Sequence, residues 1–140
     1  MRATPIVLIL AGLLGCRSPA PEPIEVEYLN TPEYREMGVP FSEAVRVGDM
    51  LYLSGQVGNI PGKLVLVDGG MPAEARQTME NLKHTLECAG GGMPSLTQAL
   101  IYVTDRAHLA AVNQVYAEYV SAPYPNRAAI IVSGFAREEM

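Results

Sequence analysis

The sequence is poor in the residues that build metal sites, disulfide frameworks and basic surfaces. Its 140 residues include no tryptophan, two cysteines and two histidines, and 10 Lys and Arg stand against 15 Asp and Glu, for a net charge of −5. Nucleic-acid surfaces need basic patches that displace counterions, so this balance argues against one. Two cysteines are too few for a disulfide framework. His84 has no second ligand at metal-binding spacing, so we expect it to be structural or exposed.

A hydrophobic run long enough to cross a bilayer as a helix is also missing. Residues 6–14 are almost wholly apolar, but a spanning helix needs about 20 residues. After the positive charge at Arg2, this run is typical of a secretory signal. It ends in residues 13–16 (LLGC), which resemble the lipobox of bacterial lipoproteins, in which the cysteine becomes the acylated N-terminus after cleavage.

This leader predicts a location and a domain organisation. We expect residues 1–15 to be a lipoprotein signal peptide and Cys16 to carry the lipid. The protein would then be anchored at the periplasmic face of the cell envelope, with outer-membrane sorting favoured, whereas a misassigned start codon would leave it cytoplasmic. Residues 16–38 would form the acylated cysteine and a tether, and residues 39–140 one domain of ordinary size.

Short β-like runs bounded by glycine and proline begin after residue 39. Residues 44–47 and 50–53 flank Gly48, which predicts a tight hairpin with Arg46 on its exposed face. Further strands are predicted at residues 64–67, 97–103 and 128–132. The last of these is an apolar, β-branched run, so we expect it to be buried.

Two helices are predicted from apolar residues that recur at helical spacing. The stripe of the first, over residues 72–89, comprises Ala75, Met79, Leu82, Leu86 and Ala89. The stripe of the second, over residues 109–119, comprises Leu109, Val112, Tyr116 and Tyr119. Cys88 comes late in the first helix, where we expect a small, packed residue.

The order strand, strand, strand, helix, strand, helix, strand predicts an α+β fold. Each helix has one apolar face, so the economical packing is one mostly antiparallel sheet with both helices on one side. The strands are rich in Val, Ile and Leu on both faces. We therefore expect other subunits to cover the opposite face of the sheet, so that the protein is an oligomer.

Arg127, at the start of the last apolar strand, is the best candidate to bind an anionic ligand. A guanidinium offers a rigid fork of donors that matches a carboxylate. The alternative is an arginine at a strand entry that extends to solvent or pairs with a surface acid. Asn113 lies at the edge of the second helical stripe and needs hydrogen-bond partners, which a neighbouring loop could also supply.

Four motifs, in order and spacing, resemble the Rid family of reactive intermediate deaminases, also called the YjgF or liver perchloric-acid-soluble-protein group. They are residues 40–45 (PFSEAV), 52–56 (YLSGQ), 110–116 (AAVNQVY) and 125–127 (PNR). The resemblance extends from residue 39 to the end of the chain. Each motif alone is weak, but the four in register are specific.

The resemblance implies a chorismate-mutase-like fold and a homotrimer whose sheets form a central barrel, with ligand sites in the clefts between subunits. It implies hydrolysis of reactive enamines and imines, such as 2-aminoacrylate, to 2-keto acids and ammonia, without a metal or cofactor. Arg127 would be the catalytic clamp on the substrate carboxylate. Phe41, Ser54, Gly55 and Asn113 would build the pocket around it.

Three features depart from the family pattern. Phe41 stands where tyrosine is frequent and so lacks its hydroxyl, and Ala129 stands where the deaminases commonly have cysteine or threonine. The residues up to Met140 resemble the turn before a final strand, which in the family carries the glutamate thought to activate water. We therefore expect a domain that lacks this strand, and Glu138 and Glu139 are not assigned its role.

Two other functions stay open beside deamination. A non-catalytic trimer that uses Arg127 to bind small carboxylates is favoured by the departures at residues 41 and 129. An RNA-cleaving activity, claimed for some relatives, is disfavoured by the acidic charge. The expected partners are thus an imine or 2-keto acid ligand and further copies of the chain. Membrane contact would occur through the lipid only, and no nucleic acid is expected.

Overall fold

A computed structural model describes residues 23–137. Its elements in chain order are β1 (Val26–Leu29), α1 (Pro32–Glu36), β2 (Ala44–Val47), β3 (Met50–Leu53), α2 (Gly70–Cys88), β4 (Gln98–Val103), α3 (Leu109–Tyr119) and β5 (Asn126–Ile131). The predicted signal peptide, Cys16, Glu138 and Glu139 lie outside the described residues. No helix in the described part of the chain has both the length and the apolar character of a membrane span.

The strand β2 is the centre of a three-stranded antiparallel sheet, with β1 and β3 on its two sides. The β2–β3 hairpin confirms the sequence prediction. Gly48 at its turn has a φ of 57°, in the left-handed region that glycine enters without steric cost.

The strand β1 lies in a region for which the sequence pattern predicts no element, because its polar and apolar residues are mixed. Val26 pairs with Val47, and Leu29 pairs with Ala44. The folded unit therefore includes β1, and the predicted domain boundary at residue 39 is too far along the chain. Residues 16–22 of the predicted tether lie outside the described residues.

The strands β4 and β5 form a parallel pair, with Gln98 beside Asn126 and Val103 beside Ile131. Parallel neighbours need a crossover connection, which α3 supplies. The expectation that the last strand is buried is wrong for the single chain, because every residue of β5 is exposed. Among the described strands β5 has a hydrogen-bonded neighbour on one side only, so its outer edge is open.

The α+β architecture is as predicted, but the described strands pair as two groups, and none of them bonds to both β3 and β4. The strand predicted over residues 64–67 is wrong. This segment forms one isolated bridge, between Asn59 and Leu66. The loop folds back on itself through short-range bonds, such as the one from the N–H of Ile60 to the carbonyl of Val65 at 2.8 Å.

The helices α2 and α3 pack together through their apolar stripes. The buried core cluster comprises Ala75, Met79, Val115 and Val120, with Val112, Tyr116 and Tyr119 packed against it. Both predicted helices are thereby confirmed. Cys88, expected to be packed, is exposed. A residue two positions after Leu86 lies on the far side of the helix from the stripe.

The expectation that Arg46 marks the exposed face of β2 is wrong. Its Nη2 donates to the carbonyl of Ala89 at 2.5 Å, at the C-terminal end of α2, where the helix dipole favours a cation. Val45 therefore lies on the face turned away from the helices, between Tyr28 and Tyr52. These two tyrosines are 72% and 59% exposed, so the sheet has an open aromatic face in the single chain.

Polar contacts at the surface also join α2 and α3. Arg76 donates to both carboxylate oxygens of Glu118, at 2.5 and 2.9 Å, and the Tyr119 hydroxyl donates to Glu80 at 2.5 Å. The hydrogen bonds from Arg76 hold the pKa of the Glu118 carboxyl below its usual value. This ion pair is exposed, so salt screens it and its effect is mainly on the relative orientation of the helices.

Candidate functional site

Arg127 is the second residue of β5 and its side chain reaches α3. Its Nη2 donates to the Asn113 side-chain oxygen at 2.8 Å. Among residues 23–137 no carboxylate forms an ion pair with Arg127, so a surface ion pair does not explain this arginine there. The guanidinium is exposed and therefore available to an anion. Arg127 and Asn113, two of the predicted site residues, are thus brought together.

The ring of Tyr116 lies under the same guanidinium, with the Arg127 Cζ 4.9 Å from the ring centroid. Asn113 and Tyr116 are three positions apart on α3 and so share one face of the helix. The Tyr116 hydroxyl oxygen is buried and has no hydrogen-bond partner among the described residues. Burial raises the pKa of Tyr116, and the nearby Arg127 cation partly opposes this. The sequence pattern places Tyr116 in the apolar stripe and gives no sign of this second contact.

The other predicted pocket residues lie where β2 begins and β3 ends. The Ser54 hydroxyl donates to the carbonyl of Ser42 at 2.7 Å, and the Ser54 N–H donates to the carbonyl of Glu43 at 2.9 Å. These two bonds join the open ends of the hairpin. Phe41 is 57% exposed, and its ring packs edge-on against Tyr34 with 6.1 Å between centroids.

Phe41 and Gly55 line a cavity of about 300 Å³ whose wall does not include Arg127 or Asn113. Apart from its two chain neighbours, no described residue has an atom within 4 Å of the position that a Cβ on Gly55 would take, so no contact within residues 23–137 excludes a side chain there. In the single chain the predicted site residues therefore lie in two separate places. Arg127 and Asn113 form one part, and Phe41, Ser54 and Gly55 form the other.

Glu43 is a buried acid in the wall of this cavity that the sequence does not single out. It is 5% exposed. One carboxylate oxygen accepts a bond from the Thr85 hydroxyl at 2.5 Å, and the other accepts one from the N–H of Thr31 at 2.9 Å. The N–H of Glu43 donates to the Asn30 side chain at 2.7 Å. Because both oxygens are engaged, Glu43 fixes β2 to α2 and to the start of α1.

His84 lies on the same cavity wall and is exposed. This agrees with the expectation that it is structural or exposed. Its Nε2 is 3.7 Å from a Glu33 carboxylate oxygen, and the His84 side chain is 52% exposed. Within the described ranges, no three His, Cys, Asp or Glu side chains are grouped so that they could hold a metal ion. The candidate site is thus defined by the arginine and its neighbours.

The fold is that of a small α+β protein with an exposed arginine held between an asparagine and a tyrosine. Comparison with known protein families and solved structures identifies its class. A family model described as Endoribonuclease L-PSP matches residues 34–140. The crystal structure of RidA from the Antarctic bacterium Psychrobacter sp. PAMC 21119 matches with a TM-score of 0.66 and 36% identity, over 71% of this chain and 80% of that one. This chain belongs to the Rid (YjgF, L-PSP) family, and the predicted Rid fold is confirmed.

Two further relatives indicate the range of the family. The chain is 36% identical over 98 residues to the 2-iminobutanoate/2-iminopropanoate deaminase of Capra hircus, across 70% of this chain and 72% of the relative. It is 38% identical over 100 residues to Protein DfrA of Myxococcus xanthus, across 70% and 76% of the two chains. The family thus includes imine deaminases, while its description names an endoribonuclease.

Proposed function

We propose that this protein hydrolyses reactive imines that carry a carboxylate, such as the imine formed from 2-aminoacrylate, to 2-keto acids and ammonia. The proposal depends chiefly on Arg127, whose exposed guanidinium is held by Asn113 and Tyr116. A guanidinium held in this way is prepared to bind a substrate carboxylate. The 36% identity to a protein named 2-iminobutanoate/2-iminopropanoate deaminase supports the substrate class.

The chemistry suits a site with few reactive side chains. The carbon of a C=N bond is already electrophilic, so the reaction depends mainly on orientation. Water adds to that carbon to form a carbinolamine. Its C–N bond then breaks, ammonia leaves, and the 2-keto acid remains. The reaction consumes only water and is redox-neutral. Arg127 would hold the carboxylate next to the reacting carbon through both steps.

A homotrimer would complete the site by joining its two parts. The sheet faces turned away from the helices expose large apolar side chains, namely Val26, Tyr28, Met50, Tyr52, Leu100 and Tyr102. An exposed apolar face of this kind is typical of a protein interface. In a trimer built on these faces, Arg127 of one subunit would face Phe41, Ser54 and Gly55 of the next.

Tyr52→Lys is expected to dissociate the trimer, because it places a cation in the centre of the apolar face. Size-exclusion chromatography with light scattering should then give the mass of a single chain. Val65→Lys is the matched control, since Val65 is 58% exposed but lies in the loop between β3 and α2, off the sheet faces and outside the lining of the cavity. A Tyr52→Lys protein that stays trimeric would show that this face is not the interface.

The direct test of the proposed function is imine turnover by the wild-type chain. A serine dehydratase would generate 2-aminoacrylate, and its decay would be followed with and without a catalytic amount of the protein. We expect faster decay with the protein. If a folded trimer does not accelerate the decay, the deaminase proposal is wrong.

A second candidate function is binding of small carboxylates without turnover. It is favoured by Phe41 and Ala129, which offer no polar group to the reaction. Calorimetric binding of 2-oxobutyrate by a protein that leaves 2-aminoacrylate decay unchanged would support it.

The same preparation would be incubated with single-stranded RNA, because the family description names an endoribonuclease. With a net charge of −5, we expect no cleavage.

We also propose that the protein is a lipoprotein of the cell envelope, which the LLGC sequence at residues 13–16 supports. Cys16→Ser is expected to prevent incorporation of labelled palmitate and to remove the protein from the membrane fraction. The measurement is metabolic labelling followed by fractionation, with Cys88→Ser as the matched control. A Cys16→Ser protein that still incorporates the label would contradict lipidation at Cys16.

A further inference from the structure

We propose that Tyr116 is a positioning residue for the anion clamp, acting through Arg127 rather than on the substrate. The proposal rests on the proposed function of Arg127 as the carboxylate clamp, and it adds a residue to which neither the motifs nor the relatives assign this role. Its basis is that two side chains from one face of α3 hold one guanidinium from two directions. Asn113 accepts a hydrogen bond from its edge, and Tyr116 supports its face.

The first observation is the geometry of the seat, by which we mean the contacts that Asn113 and Tyr116 make with the Arg127 guanidinium. The Arg127 Cζ lies 4.9 Å from the centroid of the Tyr116 ring, within the range in which a cation is attracted to the ring face. The hydrogen bond to Asn113 occupies Nη2 at 2.8 Å. A guanidinium has several further N–H donors in its plane. The seat therefore restrains the group while leaving donors free for a carboxylate.

The second observation is that Tyr116 is itself held firmly. It packs against the core cluster of Ala75, Met79, Val115 and Val120, and its hydroxyl oxygen is buried. The ring therefore cannot move aside without disturbing the contact between α2 and α3. Arg127, in contrast, is exposed on a strand with an open edge. The core thus supplies a fixed surface against which an otherwise mobile side chain is aligned.

This arrangement should improve binding by lowering the entropy that Arg127 loses when a carboxylate binds. The relevant part of Tyr116 is the ring, because the hydroxyl has no hydrogen-bond partner among the described residues. The structure therefore makes a distinction between two substitutions. Tyr116→Phe keeps the ring beneath the guanidinium, whereas Tyr116→Leu keeps an apolar residue in the core and removes the ring.

The test is calorimetric binding of 2-oxobutyrate to the 140-residue chain and its variants. Tyr116→Leu is expected to weaken binding about fivefold, while Tyr116→Phe stays within about twofold of the wild type. In turnover, KM should rise more than kcat falls, because the clamp contacts a group that does not react. Tyr116→Leu binding as tightly as the wild type would overturn the proposal.

A matched control separates positioning from damage to the core. Tyr119→Leu removes another aromatic ring that packs against the same cluster, but the Tyr119 hydroxyl bonds to Glu80 and not to Arg127. We expect its affinity for 2-oxobutyrate to match that of the wild type. Equal weakening by Tyr119→Leu and Tyr116→Leu would mean that the effect is structural, and the proposal would be wrong.

A second measurement needs no ligand and so distinguishes failure of this proposal from failure of the proposed function. The side-chain Nε–H signal of Arg127, assigned by its loss in Arg127→Ala, should show a ring-current shift in the NMR spectrum. The shift should persist in Tyr116→Phe and disappear in Tyr116→Leu. If the wild type neither binds 2-oxobutyrate nor accelerates the decay of 2-aminoacrylate, the proposed function is wrong. If the Arg127 signal is the same in Tyr116→Leu as in the wild type, the Tyr116 ring does not hold the Arg127 guanidinium and the positioning proposal is wrong.

Discussion

Arg127→Ala is expected to lower kcat/KM for the imine by about 100-fold or more, because charge-assisted hydrogen bonds to the substrate carboxylate are lost. The affinity for 2-oxobutyrate should fall with it, since the product carries the same carboxylate. Coupled decay of 2-aminoacrylate and calorimetry would measure the two effects. The overall fold should persist, because Arg127 is exposed and its described partners lie on one helix.

Two further variants make this result specific. Arg106→Ala removes another exposed arginine, from the turn before α3, and should leave kcat/KM unchanged. Arg127→Lys keeps the charge but loses the planar fork, so it should recover only part of the activity. If Arg127→Ala retained full turnover and full affinity for 2-oxobutyrate, Arg127 would not be the carboxylate clamp.

Glu43→Ala is expected to lower the free energy of unfolding by about 2–4 kcal/mol, because it removes two buried hydrogen bonds and leaves the N–H of Thr31 without an acceptor. Thr31 and Thr85, the two donors, are 6% and 3% exposed. The substitution would also detach β2 from α2 at a point where the two elements meet. Urea unfolding at one fixed protein concentration would measure the change, since association shifts the apparent stability.

The matched control is Glu43→Gln. The Thr85 hydroxyl also lies 3.0 Å from the Asn81 carbonyl, so it can donate there and accept from the new amide. The oxygen of that amide would still accept from the N–H of Thr31. Glu43→Gln should therefore lower the free energy of unfolding much less than Glu43→Ala does. Glu27→Ala, at an exposed position, should lower it by less than about 1 kcal/mol. If Glu43→Ala were as stable as Glu27→Ala, the buried carboxylate would not fix the two elements.

The faces of the β1–β3 sheet show why the sequence pattern was insufficient in places. Arg46 alternates with two valines, a pattern that predicts an exposed arginine. The structure places Arg46 towards the end of α2, where its guanidinium bonds to the carbonyl of Ala89. A long, flexible arginine side chain can lie beneath the end of a helix if a backbone carbonyl there accepts its hydrogen bond. Alternation reveals the period of a strand, but the partner of each face depends on packing.

Local signals in the sequence were enough to predict the β2–β3 hairpin, both long helices and the family, and to select Arg127 as a candidate site residue. These signals are glycine at a turn, apolar stripes and motifs in register. Tertiary packing was needed to establish that β1 belongs to the sheet, that Glu43 is buried and that the Tyr116 ring contacts the Arg127 guanidinium. Each of these depends on contacts between residues far apart in the chain, such as Glu43 with Thr85. Such contacts leave no periodic pattern in the sequence, because packing rather than local propensity selects them.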